Sequence, residues 1–525
     1  MNKKTDDSVN NHVEKIKKDD LTGQDRFAWN LIVSWASQLV LIFSGFIMPR
    51  LVDDKVGQAA LGIWDFGWSF VSYLSLVGLG MGACFNRYVA KHRGAGELTL
   101  LNHVANSALF VQLIFAAVAM LFTVLFYVLL PPYFGETLAG NTDTAQLVIL
   151  FLGAGVAVQM ASGSASGLLT GYHRWDIHNA LHAGDSILSI ILMVLALYFT
   201  DLNVAGMAIG YLVSTIIFQS LRFVFVNKIC KEFKFDLKMA NWKTCKKLLK
   251  FGIKSMLSNI PPIILLQTIS IILVSSIGPA ALAIFARPMA LTKQIKNFMT
   301  KFTLMLTPTT GSMQGSGDTK AVQTLFINTT KLSFAFALPS LGFLFIYGDV
   351  ILNYWMGPEY ALWPLIMILA FGQLLPMGQD TSIRILMGLN QHGRISIFAF
   401  LAIFVFFGIG LCFSGLGDWD LTTAALLFVI PMNIVYGFIV PVYTCRELKL
   451  SWFSYAHNSF IKPLIYIIPF LGLLSWSRHL YQLNEIMTAS LLLGAAGLIT
   501  LMIYFVYLVP VKMQNKILSR LKLSS

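Results

Sequence analysis

The sequence predicts an all-α polytopic membrane protein. Of its 525 residues 56% are hydrophobic and only 12% are charged, and the mean hydropathy is +0.70. A soluble protein carries about twice that charged fraction. Apolar stretches of about 20 residues, each long enough to cross a hydrocarbon core, recur along the chain, whereas the short alternating segments of a barrel do not.

The apolar stretches predict fourteen transmembrane helices. They lie near 29–49, 60–84, 103–129, 146–169, 179–199, 204–226, 252–275, 281–308, 324–347, 361–387, 395–414, 421–442, 459–476 and 489–510. With the N-terminus inside, 27 of the 38 Lys and Arg residues fall in inside segments, nine of them in the connection at 222–250, and only Arg50, Lys55 and Arg478 fall outside. The positive-inside rule therefore places both termini in the cytoplasm.

A repeated motif indicates that a block of helices occurs twice. Residues 56–64 read VGQAALGIW and residues 277–285 read IGPAALAIF, 221 positions apart, and the same offset relates Gly94-Ala95-Gly96-Glu97 to Gly315-Ser316-Gly317-Asp318. Because six spans precede the second copy, both copies enter the membrane in the same sense, as a pseudo-two-fold parallel repeat.

The repeat, the spans and the basic connection together predict six regions. They are a polar cytoplasmic tail (1–28), an N-terminal six-helix lobe (29–226), a basic cytoplasmic linker (227–251), a C-terminal six-helix lobe (252–445), two extra C-terminal helices (446–511) and a cytoplasmic tail (512–525). The linker is expected to contain a helix that lies on anionic lipid. The polar start of the chain predicts no cleavable signal peptide.

Several classes of site are not expected. The net charge of +13 comes mainly from turns between apolar segments, so we expect no nucleic-acid partner. The five cysteines have no metal-site spacing, and Gly315–Asp318 lacks the lysine of a nucleotide-binding loop, so we expect no cofactor. His178, His182 and Asp185 share one helical face, but without further ligands they are expected to be an ordinary polar patch, with Asp185 lining the lobe interior.

The eighth span holds the strongest candidate binding residues. It carries Arg287, Lys293, Lys296 and Lys301, and a charge near the bilayer centre costs about 2.5–3.5 kcal/mol. Lys293 and Lys296 lie about 60° apart on one helical face, whereas Arg287 points elsewhere unless Pro288 kinks the helix. The cations either line a wet cavity for an anionic substrate or snorkel to the interface and form ion pairs.

The acidic residues Asp65, Asp185 and Asp380, with Arg384, are candidates either for ion coupling or for ion pairs in the cavity. Asp380 precedes Arg384 by four residues, the favourable order for an ion pair along one helix. Asp65 lies inside the repeated block and either pairs with Arg287 or binds a proton or cation. Pro261-Pro262 in the seventh span, beside the proposed cavity, predicts that this span is bent or broken.

The repeated block resembles a known family. Residues 61–97, LGIWDFGWSFVSYLSLVGLGMGACFNRYVAKHRGAGE, are similar to the second span and following loop of bacterial polysaccharide-biosynthesis flippases. The likeness rests on Gly62-Ile63-Trp64, Tyr73-Leu74-Ser75-Leu76, Gly78-Leu79-Gly80 and Arg87-Tyr88-Val89-Ala90. These flippases belong to the multidrug/oligosaccharidyl-lipid/polysaccharide exporter superfamily.

The resemblance implies transport without covalent chemistry. Such a protein sits in the bacterial cytoplasmic membrane and turns a polyprenyl-pyrophosphate-linked glycan outward by alternating access, within a cationic cavity between two lobes. Its expected partners are that glycan lipid, membrane lipids and the polysaccharide polymerase machinery. The alternatives are a multidrug/cation antiporter of the same superfamily and, against the short outer loops, a membrane glycosyltransferase.

Overall fold

A computed structural model describes residues 27–78, 85, 88–89, 92–93, 95–138, 140–256, 260–303, 306–315, 318–414, 419–482, 486–508 and 514. The chain forms two compact units. Unit 1 holds Met1–Met256 and Ser270–Ala283, and unit 2 holds Leu257–Ile269 and Ile284–Ser525.

Unit 1 is built from helices. They are α1 (Phe27–Val56), α2 (Gln58–Gly78), α3 (Leu98–Phe134), α4 (Thr142–Ala161), α5 (Gly163–Gly171), α6 (Trp175–Phe199), α7 (Asn203–Ile229), a 3-10 turn (Leu237–Met239) and α8 (Trp242–Met256). Two further helices, α9 (Ile260–Ser276) and α10 (Pro279–Thr303), contain the boundary between the units.

Unit 2 is also helical. Its elements are α11 (Leu306–Gly315), α12 (Thr319–Trp355), a 3-10 turn (Pro358–Tyr360), α13 (Trp363–Gly372), α14 (Leu374–Gly378), α15 (Asp380–Gly388), α16 (His392–Ser414), α17 (Leu421–Met432), a π-helical turn (Asn433–Ile439), α18 (Val440–Glu447), α19 (Trp452–Ala456), a second π-helical turn (His457–Ile461), α20 (Lys462–Tyr466), α21 (Ile468–Gln482) and α22 (Ile486–Tyr507).

The predicted all-α polytopic fold is confirmed. Among the described residues, ten helices are long and apolar enough to cross a membrane. The other predicted spans, the second, seventh, eighth and tenth, correspond to helical segments that are shorter, more polar or broken. Large apolar side chains face outward along the long helices, as Leu121 (67% exposed) and Val128 (61% exposed) do on α3, which suits contact with lipid.

The repeated motif adopts the same local turn in both copies. Gly57 (φ +93°) precedes α2 and Gly278 (φ +117°) precedes α10. This left-handed conformation favours glycine because it has no Cβ. Gly62, one turn into α2, lies so close to the second copy that a Cβ there would stand 1.8 Å from the Pro279 carbonyl oxygen. The two motifs therefore fix the starts of two helices and bring their backbones together.

The predicted fourth and tenth spans are interrupted rather than continuous. The fourth breaks at Ser162, whose hydroxyl donates to Gln219 Oε1 at 2.5 Å. The tenth breaks at Gln373 and Gln379, and the Gln379 side chain accepts a 2.6 Å hydrogen bond from the Tyr455 hydroxyl. At these positions polar side chains of neighbouring helices thus hydrogen-bond to the polar side chains of the interrupted spans.

Pro261 and Pro262 lie in the first turn of α9, which begins at Ile260. Proline is well tolerated there because its missing N–H would lack an intrahelical partner in any case. Within the described residues, the two prolines of the seventh span therefore lie at the start of α9 and not in its middle.

The basic connection after α7 is anchored to α3. The Asn102 side chain donates to the Glu232 carbonyl at 2.8 Å and accepts from the Lys234 N–H at 2.8 Å. On α8 the Cys245 thiol is buried, which raises its pKa, whereas the side chains of Lys243 and Lys246 are exposed. The helix is amphipathic, with its apolar side on the protein and its cationic side outward.

Candidate functional site

The cations of α10 have different environments in unit 2. Lys293 is exposed, Lys296 is half-buried and Arg287 is buried, with 4% of its surface accessible. Lys293 and Lys296 are one turn apart and share a face, and the Lys296 ammonium interacts electrostatically with that of Lys293. The side chain of Lys301 lies outside the described part of the chain. Helix α10 continues through Pro288, so Arg287 stays on a different side from Lys293.

A carboxylate and a guanidinium on α15 stand beside this face. Asp380 Oδ2 accepts a short hydrogen bond from the buried Thr303 hydroxyl at 2.5 Å, which ties α15 to the end of α10. The same oxygen lies 3.4 Å from Arg384 Nε, as the four-residue spacing predicts. A charge-assisted hydrogen bond is normally about 2.7–2.9 Å long, so Arg384 is only loosely held.

Lys296 of α10 interacts electrostatically with the charged side chains of both helices. Its ammonium is attracted by Asp380 and repelled by Arg384 and Lys293. Lys296 therefore interacts with one carboxylate and two other cations, and that carboxylate is already engaged by Thr303 and Arg384. The cluster of Lys293, Lys296, Asp380 and Arg384, which we call the cationic cluster, has excess positive charge suited to an anion.

Close backbone packing holds the cluster in place. The Thr307 hydroxyl donates to the Arg384 carbonyl at 3.2 Å. A Cβ at Gly388 would lie 2.7 Å from the Thr307 carbonyl and 2.6 Å from Thr310 Cβ, so only glycine fits at the end of α15. The ends of the eighth and tenth spans are thereby fixed relative to each other.

Unit 1 contains a second charged group, centred on Asp185 of α6. The Ser214 hydroxyl lies 2.7 Å from Asp185 Oδ1 and 2.8 Å from its carbonyl oxygen. The Arg222 guanidinium of α7 attracts Asp185 electrostatically, and its Nη1 donates to the Ser166 hydroxyl of α5. This arrangement, which we call the Asp185 cluster, places a carboxylate and a guanidinium within the helices of one unit.

Arg222 is the residue that sequence reasoning misplaced. The charge count groups it with the basic connection at 222–250, although it also falls in the predicted span 204–226, and the structure places it inside α7 with 5% of its surface accessible. Its Nε has no hydrogen-bond partner in the described structure. The signal in the sequence was its position in an otherwise apolar helix, where a buried cation requires a partner.

His178 and His182 lie near Arg222, which repels any positive charge on their imidazoles. Asp185 is the carboxylate of the same helical face. Among the described residues, no three His, Cys, Asp or Glu side chains form a group that could hold a metal ion.

Asp65 lies half-buried in α2, within unit 1, and its carbonyl accepts a 3.0 Å hydrogen bond from the Ser69 hydroxyl. Its predicted partner Arg287 belongs to unit 2. The Asp65–Arg287 pair and the ion-coupling role of Asp65 stay predictions.

Comparisons with known proteins agree with this architecture. Residues 34–178 match the family model MatE. A curated relative, "Uncharacterized membrane protein EpsK" of Bacillus subtilis (strain 168), is 23% identical over 470 residues, covering 84% of this chain and 86% of the relative.

Solved structures show the fold. An inward-facing multidrug resistance MATE family transporter of the MOP superfamily superposes with a TM-score of 0.65 at 17% identity, covering 80% of this chain and 98% of the transporter. A MOP superfamily transporter from Pyrococcus furiosus, described by a reversed polarity of its binding pocket, superposes with a TM-score of 0.60 at 17% identity, covering 83% and 97%. The chain therefore has the fold of the MATE transporters.

Proposed function

We propose that this protein is a membrane flippase that moves a polyprenyl-pyrophosphate-linked oligosaccharide across the bacterial cytoplasmic membrane by alternating access. The observation that carries the proposal is the cationic cluster. Lys293 and Lys296 neutralise the phosphates, Arg384 assists when Asp380 releases it, and the prenyl chain remains in lipid. No bond in the substrate is made or broken.

The charge of the cluster fits this substrate class. A pyrophosphate diester carries two negative charges, and the cluster offers three cations against one carboxylate. Because both lysines lie on one face of one helix, a phosphate can contact them together without distorting the backbone. A cationic drug, by contrast, would be repelled.

The membrane potential favours the proposed direction. With the inside negative, outward movement of one negative charge gains about 2.3 kcal/mol per 100 mV. A doubly charged headgroup therefore moves outward without nucleotide hydrolysis, provided that compensating charges do not travel with it. The Asp185 cluster is the candidate for ion coupling in unit 1.

The relatives support transport in general terms. The similarity to the MATE fold favours a transporter, and the Pyrococcus furiosus neighbour with that fold is described as having a reversed polarity of its binding pocket that suggests a different function. Contacts with membrane lipids and with polysaccharide polymerase machinery in the cell envelope are part of the same proposal.

A multidrug/cation antiporter is the second candidate, and the fold of the solved MATE structures favours it. It predicts drug efflux in a sensitised strain, whereas the flippase predicts loss of surface polysaccharide when the gene is deleted. Deletion that leaves surface polysaccharide intact while increasing drug sensitivity would favour the antiporter.

The direct test is a leaflet-accessibility assay in reconstituted vesicles with a fluorescent prenyl-pyrophosphate saccharide. The variant Lys293→Ala/Lys296→Ala is expected to slow translocation at least about tenfold, since each charge-assisted contact contributes about 1.5–3 kcal/mol.

The matched control is Lys243→Ala/Lys246→Ala, which removes two exposed lysines at the same spacing from α8. It should translocate at the parent rate. If the two double variants behave alike, the cationic cluster does not bind the substrate.

A further inference from the structure

A third charged group lies near the C-terminal end of α12. Arg478 Nη2 donates to Asp349 Oδ2 at 2.6 Å, joining α21 to α12 across 129 residues of sequence. Arg478 was predicted to lie in an outer loop, but the structure places it within α21. Its guanidinium also faces the rings of Tyr347 and Tyr481, at 5.6 and 5.8 Å from their centroids.

Two open cavities adjoin this ion pair, and both are lined by Asp349, Arg478 and Gln482. One, of about 340 Å³, also contains Asn353 and Tyr481. The other, of about 370 Å³, also contains Ser475 and an aromatic wall of Phe345 and Trp363, whose rings meet edge to face at 6.2 Å. The ion pair therefore lines both cavities.

The ion pair itself is incompletely satisfied. Asp349 Oδ1 and Arg478 Nη1 have no hydrogen-bond partner in the described structure, although each is buried. The two side chains remain 23% and 21% exposed. A small rotation of either group would present an acceptor and a donor to a ligand in the adjoining spaces.

The chemistry of these walls selects one ligand class. The carboxylate and guanidinium neutralise each other, so the site offers strong hydrogen bonds with little net charge. Asn353, Gln482 and Ser475 add amide and hydroxyl groups, and Trp363 adds an exposed aromatic face. A phosphate would meet the carboxylate, and a cation the guanidinium, whereas a neutral ring with many hydroxyl groups can donate, accept and stack.

We infer that the two cavities form a carbohydrate-binding site for neutral sugar rings. The inference deepens the proposed function and rests on it for the origin of the sugar. The distribution of Lys and Arg residues predicts that the end of α12 and α21 that holds the ion pair faces outside. The sugar is then the glycan of the transported lipid or a surface glycan with the same ring chemistry.

The test uses the full chain in lipid nanodiscs and saturation-transfer NMR with a panel of free glucose, galactose, N-acetylglucosamine and their trisaccharides. We expect at least one saccharide to receive saturation, with a Kd of about 1–10 mM as is usual for a small polar ligand. Asp349→Asn and Ser475→Leu, which fills one cavity without touching the ion pair, should each weaken binding about tenfold or more.

A reciprocal exchange separates binding from folding. Asp349→Arg/Arg478→Asp can re-form the ion pair, so it should recover the melting temperature lost in Asp349→Asn but not saccharide binding. Asp54→Asn, which breaks the exposed Arg50–Asp54 pair in unit 1, should leave binding unchanged. Saccharide binding restored by the exchange would show that the ion pair is purely structural and would overturn its assigned role in holding the sugar.

Further outcomes distinguish the flippase proposal from the carbohydrate-site inference, and the transported glycan from a surface glycan as the source of the sugar. If the parent protein translocates the lipid-linked saccharide but no saccharide in the panel binds up to about 50 mM, the inference fails and the flippase proposal stands. If saccharides bind but nothing is translocated, the inference stands alone. Slower translocation in Ser475→Leu identifies the transported glycan as the ligand, and unchanged translocation identifies a surface glycan.

Discussion

Replacing Asp380 by asparagine is expected to tighten anion binding at the cationic cluster. Asparagine has the same shape and can still accept the Thr303 hydrogen bond, but it removes the carboxylate charge that partly satisfies Arg384 and Lys296. The three cations then have no internal counter-ion within the cluster. An anionic ligand no longer competes with Asp380 for them.

The size of the effect follows from the geometry. At an effective dielectric constant of about 20, unit charges as close as Asp380 and Arg384, 3.4 Å apart, attract by about 5 kcal/mol before solvent screening. A phosphate about 6 Å from Asp380 is repelled by about 3 kcal/mol on the same basis. Because Asp380 is 20% exposed, we take about half of that repulsion, which corresponds to about tenfold tighter binding.

The assay is calorimetric titration of the purified protein in nanodiscs with geranyl pyrophosphate, a short prenyl pyrophosphate. The matched control is Asp318→Asn, which makes the same charge change in the same unit and can keep the N-cap hydrogen bond from the Ala321 N–H. Asp318→Asn should bind like the parent. Equal or weaker binding by Asp380→Asn would refute the assignment of these cations to an anionic ligand.

Three stability predictions concern other parts of the molecule, each measured by thermal unfolding. Gly62→Ala should destabilise the protein by about 3 kcal/mol, because its Cβ would overlap the Pro279 carbonyl, a backbone atom that cannot rotate away. Arg222→Met should cost about 3–5 kcal/mol by removing the cation from the Asp185 cluster. Asp420→Ala should cost about 1 kcal/mol by removing the N-cap of α17. Hydrogen bonds from Thr423 lower the Asp420 pKa, so this cost is present above the unfolded pKa of about 3.9 and is lost as pH falls through the folded pKa.

Each of these three variants has a matched control. Gly408→Ala, at a helical glycine whose Cβ would meet nothing within 4 Å, should be neutral or stabilising, and equal losses at both glycines would contradict the close-approach argument. Arg222→Lys should recover part of the stability lost in Arg222→Met, since it keeps the positive charge. If it recovers none, the stabilisation comes from the shape of the arginine side chain and not from its charge. Asp420→Asn should retain capping but lose the pH dependence, so a persistent pH dependence would mean another group is responsible.

Part of the candidate site could be read from sequence. The Asp380–Arg384 pair follows from a four-residue spacing, and Lys293 and Lys296 share a face because they are one turn apart. Periodicity could not show that Asp380 would also meet Thr303 and Lys296 of another helix. It also could not separate Arg222, buried in α7, from the exposed lysines that follow it.

The sequence by itself determined the membrane class and the helical fold, and it carries the repeated motif. These depend on local properties, namely apolar length and charge distribution. Only the tertiary structure decided which charged side chains interact: Arg478 with Asp349, Arg222 with Asp185, and Lys296 with Asp380. Those interactions join residues far apart in the chain, and the packing of whole helices brings them together rather than any neighbouring sequence.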